Sequence, residues 1–118
     1  MKSLLIPVAG LAIGLSVTAA HAQYAGPSDV RTMTVKELLA TGRDDQHAAL
    51  QGRIVNHLGG DNYEFADATG KIRVEIDNDL WAGHPVIDDK RTVKITGELE
   101  RKVMGRVGFD VDRIDVLP

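Results

Sequence analysis

The sequence predicts an all-β domain, a five-stranded Greek-key barrel preceded by one short helix. Three observations point there. Apolar residues recur with a period of two in five segments between His47 and Leu117. Glycines stand inside two of those segments, Gly52 and Gly97, where long strands must bend to wrap a small barrel. The segments form a run of three with short turns and a later pair, separated by a longer irregular connection. That is the order a five-stranded Greek key needs.

The helix comes first. Thr34-Val35-Lys36-Glu37 fits a capping box, in which the Thr and Glu side chains satisfy each other's free backbone donors. Val35, Leu38 and Leu39 fall on one face, and Gly42 closes the element. A helix this short must dock on something to persist. From His47 the period changes to two. His47 to His57 reads as a long first strand with Leu50, Gly52 and Ile54 on one face. Gly59-Gly60-Asp61 is a turn. Asn62 to Asp67 is the second strand, with Tyr63 and Phe65 facing in. Asp67-Ala68-Thr69-Gly70 reads as a tight hairpin in which Gly70 supplies the left-handed residue. Lys71 to Asp77 is the third strand. Ile72, Val74 and Ile76 point in, while Lys71, Arg73 and Glu75 point out.

Asn78 to Lys90 breaks the alternation. Asp79-Leu80-Trp81 fits one helical turn behind an Asp or Asn cap, ended by Gly83 and Pro85. Thr92 to Arg101 is the fourth strand, with Val93, Ile95, Gly97 and Leu99 inside. After a turn at Val103 to Gly105, Arg106 to Leu117 is the fifth. Val107, Phe109 and Val111 keep one parity and Ile114 and Val116 the other, so a bulge near Asp112-Arg113 is expected. The pattern is that of an OB-fold barrel; an open antiparallel sandwich is the alternative it also permits.

The chain begins like an export precursor. Lys2 is the one charge ahead of a short apolar run from Leu4 to Val17, and Ala20-His21-Ala22 places small residues where a signal peptidase reads. The run is too short for the roughly 20 residues of a spanning helix. The expected organisation is a signal peptide over 1–22 cleaved after Ala22, an N-terminal arm over 23–33, and a barrel domain over 34–118. The expected location is the periplasm, with no transmembrane segment in the mature chain. Taking Lys2 from the 14 basic residues leaves 13 against 17 acidic ones. An acidic domain without a basic block is poorly suited to neutralising a phosphate backbone, so nucleic acid is not expected as a partner. There is no cysteine, which removes disulfides, thiol chemistry and cysteine-based zinc sites.

No catalytic set assembles. The mature chain holds one serine, Ser28, in the arm, and His47, His57 and His84 are scattered over strand ends and a loop. An enzyme is not expected, nor a cofactor. Asp77, Asp79, Asp88 and Asp89 surround one loop with His84 between them, an oxygen-rich arrangement that calcium favours in principle. Counted as an EF-hand from Asp77, however, the loop has Ala82 in the glycine position and Asp88 in that of the bidentate Glu, so a solvated acidic loop is the expectation and no metal ligand is assigned. Of the mature aromatics, Tyr63, Phe65 and Phe109 fall at inward parity and are expected in the core rather than as stacking platforms. Trp81 is expected to cap one barrel end or to stand by a pocket.

A mixed-charge outer face remains, bounded by the Gly59-Gly60 turn and the Lys102-to-Arg106 turn, where ligands of such barrels usually sit. The candidate binding residues are Arg53, Glu64, Arg73, Glu75, Lys102 and Arg106. The four bases are suited to an anionic or sugar-like group. The competing reading pairs them with Glu64, Glu75, Glu98 and Glu100 as a solvated ion-pair face.

Several segments, taken in order, carry a resemblance. They are Tyr24-Ala25-Gly26-Pro27, Leu50-Gln51-Gly52-Arg53-Ile54, Asp61-x-Tyr63-x-Phe65-x-Asp67-Ala68-x-Gly70, Ile72-x-Val74-Glu75-Ile76-Asp77, Trp81-x-Gly83 and Val93-x-Ile95-x-Gly97-Glu98. Together they resemble the bacterial OB-fold (BOF) family of exported stress-tolerance proteins, the YgiW/YdeI type. The resemblance implies a periplasmic OB domain without known catalysis, linked to envelope, oxidative or metal stress. It implies cell-wall or membrane-associated ligands for some members, and no nucleic acid. The expected partner is an envelope glycan, a small molecule or a periplasmic protein. One segment departs from the family: its frequent acidic or polar turn is here the basic Lys102-Val103-Met104-Gly105-Arg106. The expected function is a non-enzymatic binding protein for a glycan or anionic small ligand. The alternatives are a protein-interaction module or a metal-linked stress protein.

Overall fold

A seven-residue helix, α1 (Val35–Thr41), is held at both ends by the barrel it packs on. The computed structural model describes residues 30–102 and 104–118, so the expected signal peptide and most of the arm lie outside the described residues. At the start of α1, the Thr34 hydroxyl accepts from the Glu37 N–H and the Glu37 carboxylate accepts from the Thr34 N–H, completing the capping box. The two remaining free donors turn to the next hairpin. Val35 N–H donates to the Asp67 carboxylate at 2.8 Å and Lys36 N–H to the Thr69 hydroxyl at 3.0 Å. At the other end the Arg101 guanidinium donates to the Gly42 carbonyl at 2.8 Å and to the Leu39 carbonyl. Too short to be stable alone, the helix persists because distant side chains satisfy both termini and because Val35 and Leu38 are fully buried.

Just before it, Thr32–Met33 forms a two-residue strand, β1, parallel to Ala49 and Leu50. The end of the expected arm thus joins the sheet, and Met33 enters the core. The five long strands are β2 (His47–Gly59), β3 (Asn62–Asp67), β4 (Gly70–Glu75), β5 (Val93–Arg101) and β6 (Val107–Val116). Their order is β2-β3-β4-β6-β5, and the pairing of β5 with β2 closes the barrel. All contacts between the long strands are antiparallel except β4 with β6. The chain is therefore a closed five-stranded OB barrel, and the open sandwich is set aside.

Closure depends on β2 changing partners. It pairs with β5 from His47 to Gly52 and with β3 from Arg53 onward. At the changeover a Cβ on Gly52 would stand 2.2 Å from the Ala66 carbonyl oxygen, so only glycine fits the bend. Gly97 plays the same part opposite β6, where a Cβ would meet the Asp110 carbonyl oxygen at 2.0 Å. Beside it, Thr96 pairs with Arg113 but Gly97 with Val111, which leaves Asp112 as the extra residue of a bulge. The parity change expected in the last strand is thus located at Asp112.

The core is one cluster drawn from every long strand and the helix, with Phe65, Phe109, Leu38, Leu50, Ile76, Ile95 and Leu99 fully buried. Two local expectations are corrected. Gly70 does not adopt the left-handed conformation; the Asp67 carboxylate shapes the hairpin instead, accepting from Thr69 N–H, the Thr69 hydroxyl and Gly70 N–H. Gly42 closes α1 as expected, in an extended conformation, and its lack of a side chain admits Leu99 and the Leu38 carbonyl at close range. Asn78–Trp81 forms the expected single turn, a 3-10 helix, but Asp77 ahead of it makes no side-chain capping bond.

Candidate functional site

The barrel brings four of the six candidate residues together. Arg73 and Glu75 project from β4, and Lys102 and Arg106 flank the β5–β6 turn; all four line one surface cleft of about 170 Å³. The alternation on β4 puts Arg73 and Glu75 on its outer face because Ile72, Val74 and Ile76 are taken by the core. The turn is fixed by Lys102 N–H donating to the Arg106 carbonyl at 2.8 Å, with Gly105 left-handed. This folds the two basic side chains back towards β4. Asn62 and Glu100 complete the polar wall, and Val74, Val107 and Phe109 the apolar part. Arg73 Nε donates to the Asn62 side-chain oxygen at 3.3 Å.

The other two candidates lie elsewhere. Arg53 donates to the main-chain carbonyl of Asp89 at 2.9 Å, bracing the loop before β5. Glu64 is opposite Arg73 in the β3–β4 register, yet its nearest basic contact is Lys71 at 3.9 Å. The competing ion-pair face also takes a different form. Glu98 meets His47 at 3.6 Å, and among the described residues none of Arg53, Arg73, Lys102 or Arg106 has a carboxylate within 4.0 Å.

The floor beyond the cleft is acidic. Glu75 pairs with Asp110 across β4 and β6, and Glu98 pairs with Asp110 across β5 and β6. Burial raises the Asp110 carboxyl above its ordinary pKa, and the like charges of Glu75, Glu100, Asp112 and Asp77 raise it further. The cleft therefore has a basic rim on the turn side and a carboxylate-rich side along β6.

A second feature was not legible as a site. His57 stacks on Tyr63 with ring centroids 4.4 Å apart and planes 13° from parallel, and Trp81 meets Tyr63 edge to face at 5.5 Å. Phe65 and Phe109 are in the core as expected, but Tyr63 is only half-buried and belongs to this aromatic ridge. Trp81 both packs on the core and lines two shallow grooves, one against His84, Val86 and Ile87 and one along Ile54–His57 and Asp88–Asp89. It does not line the Arg73 cleft. The stack exists because Val55 is bulged out: Ile54 pairs with Phe65, but Asn56 rather than Val55 pairs with Glu64, so His57 arrives opposite Tyr63. A period-two reading cannot see that slip. Within the acidic loop, Asp88 accepts from the Lys90 N–H at 3.0 Å. Among the described residues no group of three or more acidic or histidine side chains is placed to hold a metal ion, and no helix is long and apolar enough to cross a membrane.

Comparison with known proteins gives consistent relatives. The family model described as "Bacterial OB fold (BOF) protein" matches residues 14–116. The "Calcium-regulated OB-fold protein CarO" of Pseudomonas aeruginosa is 42% identical over 107 residues, which cover 90% of each chain. "Protein YgiW" of Escherichia coli K12 is 39% identical over 83 residues, covering 70% of this chain and 62% of the relative. The solved structure of ygiW from E. coli superposes with a TM-score of 0.69 at 32% identity, over 78% of this chain and 100% of that one. The telomere capping protein Ten1 of Schizosaccharomyces pombe reaches a TM-score of 0.58 at 12% identity, over 75% of this chain and 81% of its own, a likeness of fold alone. The closed barrel, the order of its strands and these matches together establish that the chain belongs to the bacterial OB-fold (BOF) family.

Proposed function

We propose that this chain is a non-enzymatic binding protein of the periplasm with a role in envelope or stress tolerance. Its cleft between β4 and the β5–β6 turn takes an anionic small molecule or an acidic glycan. The observation that carries the reading is the convergence of Arg73, Lys102 and Arg106 on one cleft with no carboxylate within 4.0 Å of any of them among the described residues. Arg73 keeps one bond to Asn62, and guanidinium and ammonium groups left without a carboxylate partner favour carboxylate or phosphate oxygens, Arg in bidentate fashion. The small apolar part of the lining, Val74, Val107 and Phe109, suits the body of a sugar. The opening apolar run with its Ala20-His21-Ala22 site supports export. The test is retention on insoluble peptidoglycan and on anionic envelope lipids, with an Arg73→Ala/Arg106→Ala variant as control. Retention that the variant loses supports the proposal; no retention on either material removes it.

A metal-linked role is the second reading, favoured by the description of the CarO relative as calcium-regulated. Calorimetric titration with calcium decides it: saturable heat supports a direct calcium link, and none at millimolar metal removes one.

A further inference from the structure

The aromatic ridge borders a groove that the cleft does not use. It runs between the Ile54–His57 stretch of β2 and the loop before β5, with a volume of about 320 Å³, and Tyr63, Trp81 and Ile87 form its apolar side. Here β2 has already parted from β5, whose last pair with it is Gly52 with Val93. Asp88 and Asp89 stand exposed on the rim. Asp88 accepts the Lys90 N–H, but among the described residues no lysine, arginine or histidine side-chain nitrogen lies within 4.0 Å of either carboxylate. The one guanidinium that reaches this loop, Arg53, is spent on the Asp89 main-chain carbonyl.

Charge and chemistry select the occupant. Aromatic faces carry negative potential and attract cations, most strongly for tryptophan. Two carboxylates beside them, without a basic side-chain partner among the described residues, add to that field and repel an anion. A neutral sugar gains from the rings but not from the net charge of the rim. We propose that this groove binds an organic ammonium cation, its N-substituents resting on Tyr63 and Trp81 and its charge towards Asp88 and Asp89. The site is independent of the Arg73 cleft and of the ligand assigned there.

Trp81 is the sole tryptophan and lines this groove and the one against His84, so its emission reports a ligand in either, and the Asp88/Asp89 variant separates the two. The purified protein is titrated with choline, with the uncharged isostere in which a tert-butyl group replaces the trimethylammonium, and with a neutral methyl glycoside. The expected result is a saturable change with choline and an affinity at least tenfold lower for the isostere and the glycoside. Asp88→Asn/Asp89→Asn, checked for folding by circular dichroism, is expected to weaken choline at least threefold. Equal affinity for the isostere, a response to the glycoside alone, or no saturable response at about 100 mM choline overturns the proposal.

Discussion

The Asp67 carboxylate accepts a hydrogen bond from the Val35 N–H at 2.8 Å, joining residues 32 positions apart. One side chain thereby shapes the β3–β4 hairpin and caps α1. Burial alone would raise its pKa. The bonds from the Thr69 hydroxyl and from the Val35, Thr69 and Gly70 amides outweigh that and hold the carboxyl below its ordinary value.

Removing that carboxylate unlinks helix from hairpin. Asp67→Ala is expected to lower stability by about 1–2 kcal/mol, the scale of a lost helix cap plus an Asx turn. The pH dependence has a definite sign. A carboxyl with a depressed folded-state pKa contributes stability above its unfolded pKa and loses it as pH falls through the folded one. Urea melts of the native chain should therefore weaken below about pH 4, and Asp67→Asn should flatten that part of the profile.

Asp110 works in the opposite direction. Its raised pKa means that the folded state resists its ionisation, so the charge costs stability above the folded-state pKa. Asp110→Asn is expected to raise stability near neutrality by a few tenths of a kcal/mol. The gain should shrink as pH falls towards the unfolded-state pKa of about 4 and vanish about a unit below it, where the carboxyl is protonated in both states. Thermal melts at both pH values check it.

Gly97→Ala forces a Cβ to within 2.0 Å of the Asp110 carbonyl oxygen, at a point where backbone must move to relieve it. A loss of about 2–3 kcal/mol is expected from overpacking. Gly108→Ala is the control, because its Cβ would meet only the Arg73 carbonyl oxygen at 3.7 Å. Paired thermal melts should rank Gly97→Ala well below Gly108→Ala.

Much of this architecture was written in the pattern of the chain. Alternating Ile72, Val74 and Ile76 set the outer face of β4, and the parity change between Val111 and Ile114 marked the Asp112 bulge. These are local signals, set by one strand's own period. What escaped was set by tertiary pairing. The bulge at Val55 leaves no mark in the alternation, yet it alone brings His57 onto Tyr63. Arg101, read simply as a strand end, caps a helix some 60 residues away. Arg53 shares an outward face with Arg73 by parity, but β2 leaves β5 at Gly52 and the Arg53 guanidinium reaches Asp89 in the loop that opens there.

In the cleft, each charge-assisted contact to an anion is worth about 1.5–3 kcal/mol, roughly tenfold or more in affinity. Arg73→Ala and Arg106→Ala are each expected to weaken an anionic ligand by about that factor while leaving thermal stability nearly unchanged, since both side chains are exposed. Arg53→Ala should leave the affinity unaltered, because its guanidinium is engaged with Asp89 outside the cleft.

The most direct measurement is a backbone amide NMR titration of the purified protein with a hexose phosphate and with its neutral parent hexose. Saturable shifts at Arg73, Lys102, Arg106 and Gly108 with the phosphate, weakened by salt and absent with the hexose, are the expected result. Shifts centred on Tyr63 and Trp81 instead, equal shifts with the neutral hexose, or none at about 10 mM phosphate sugar would contradict an anion-binding cleft.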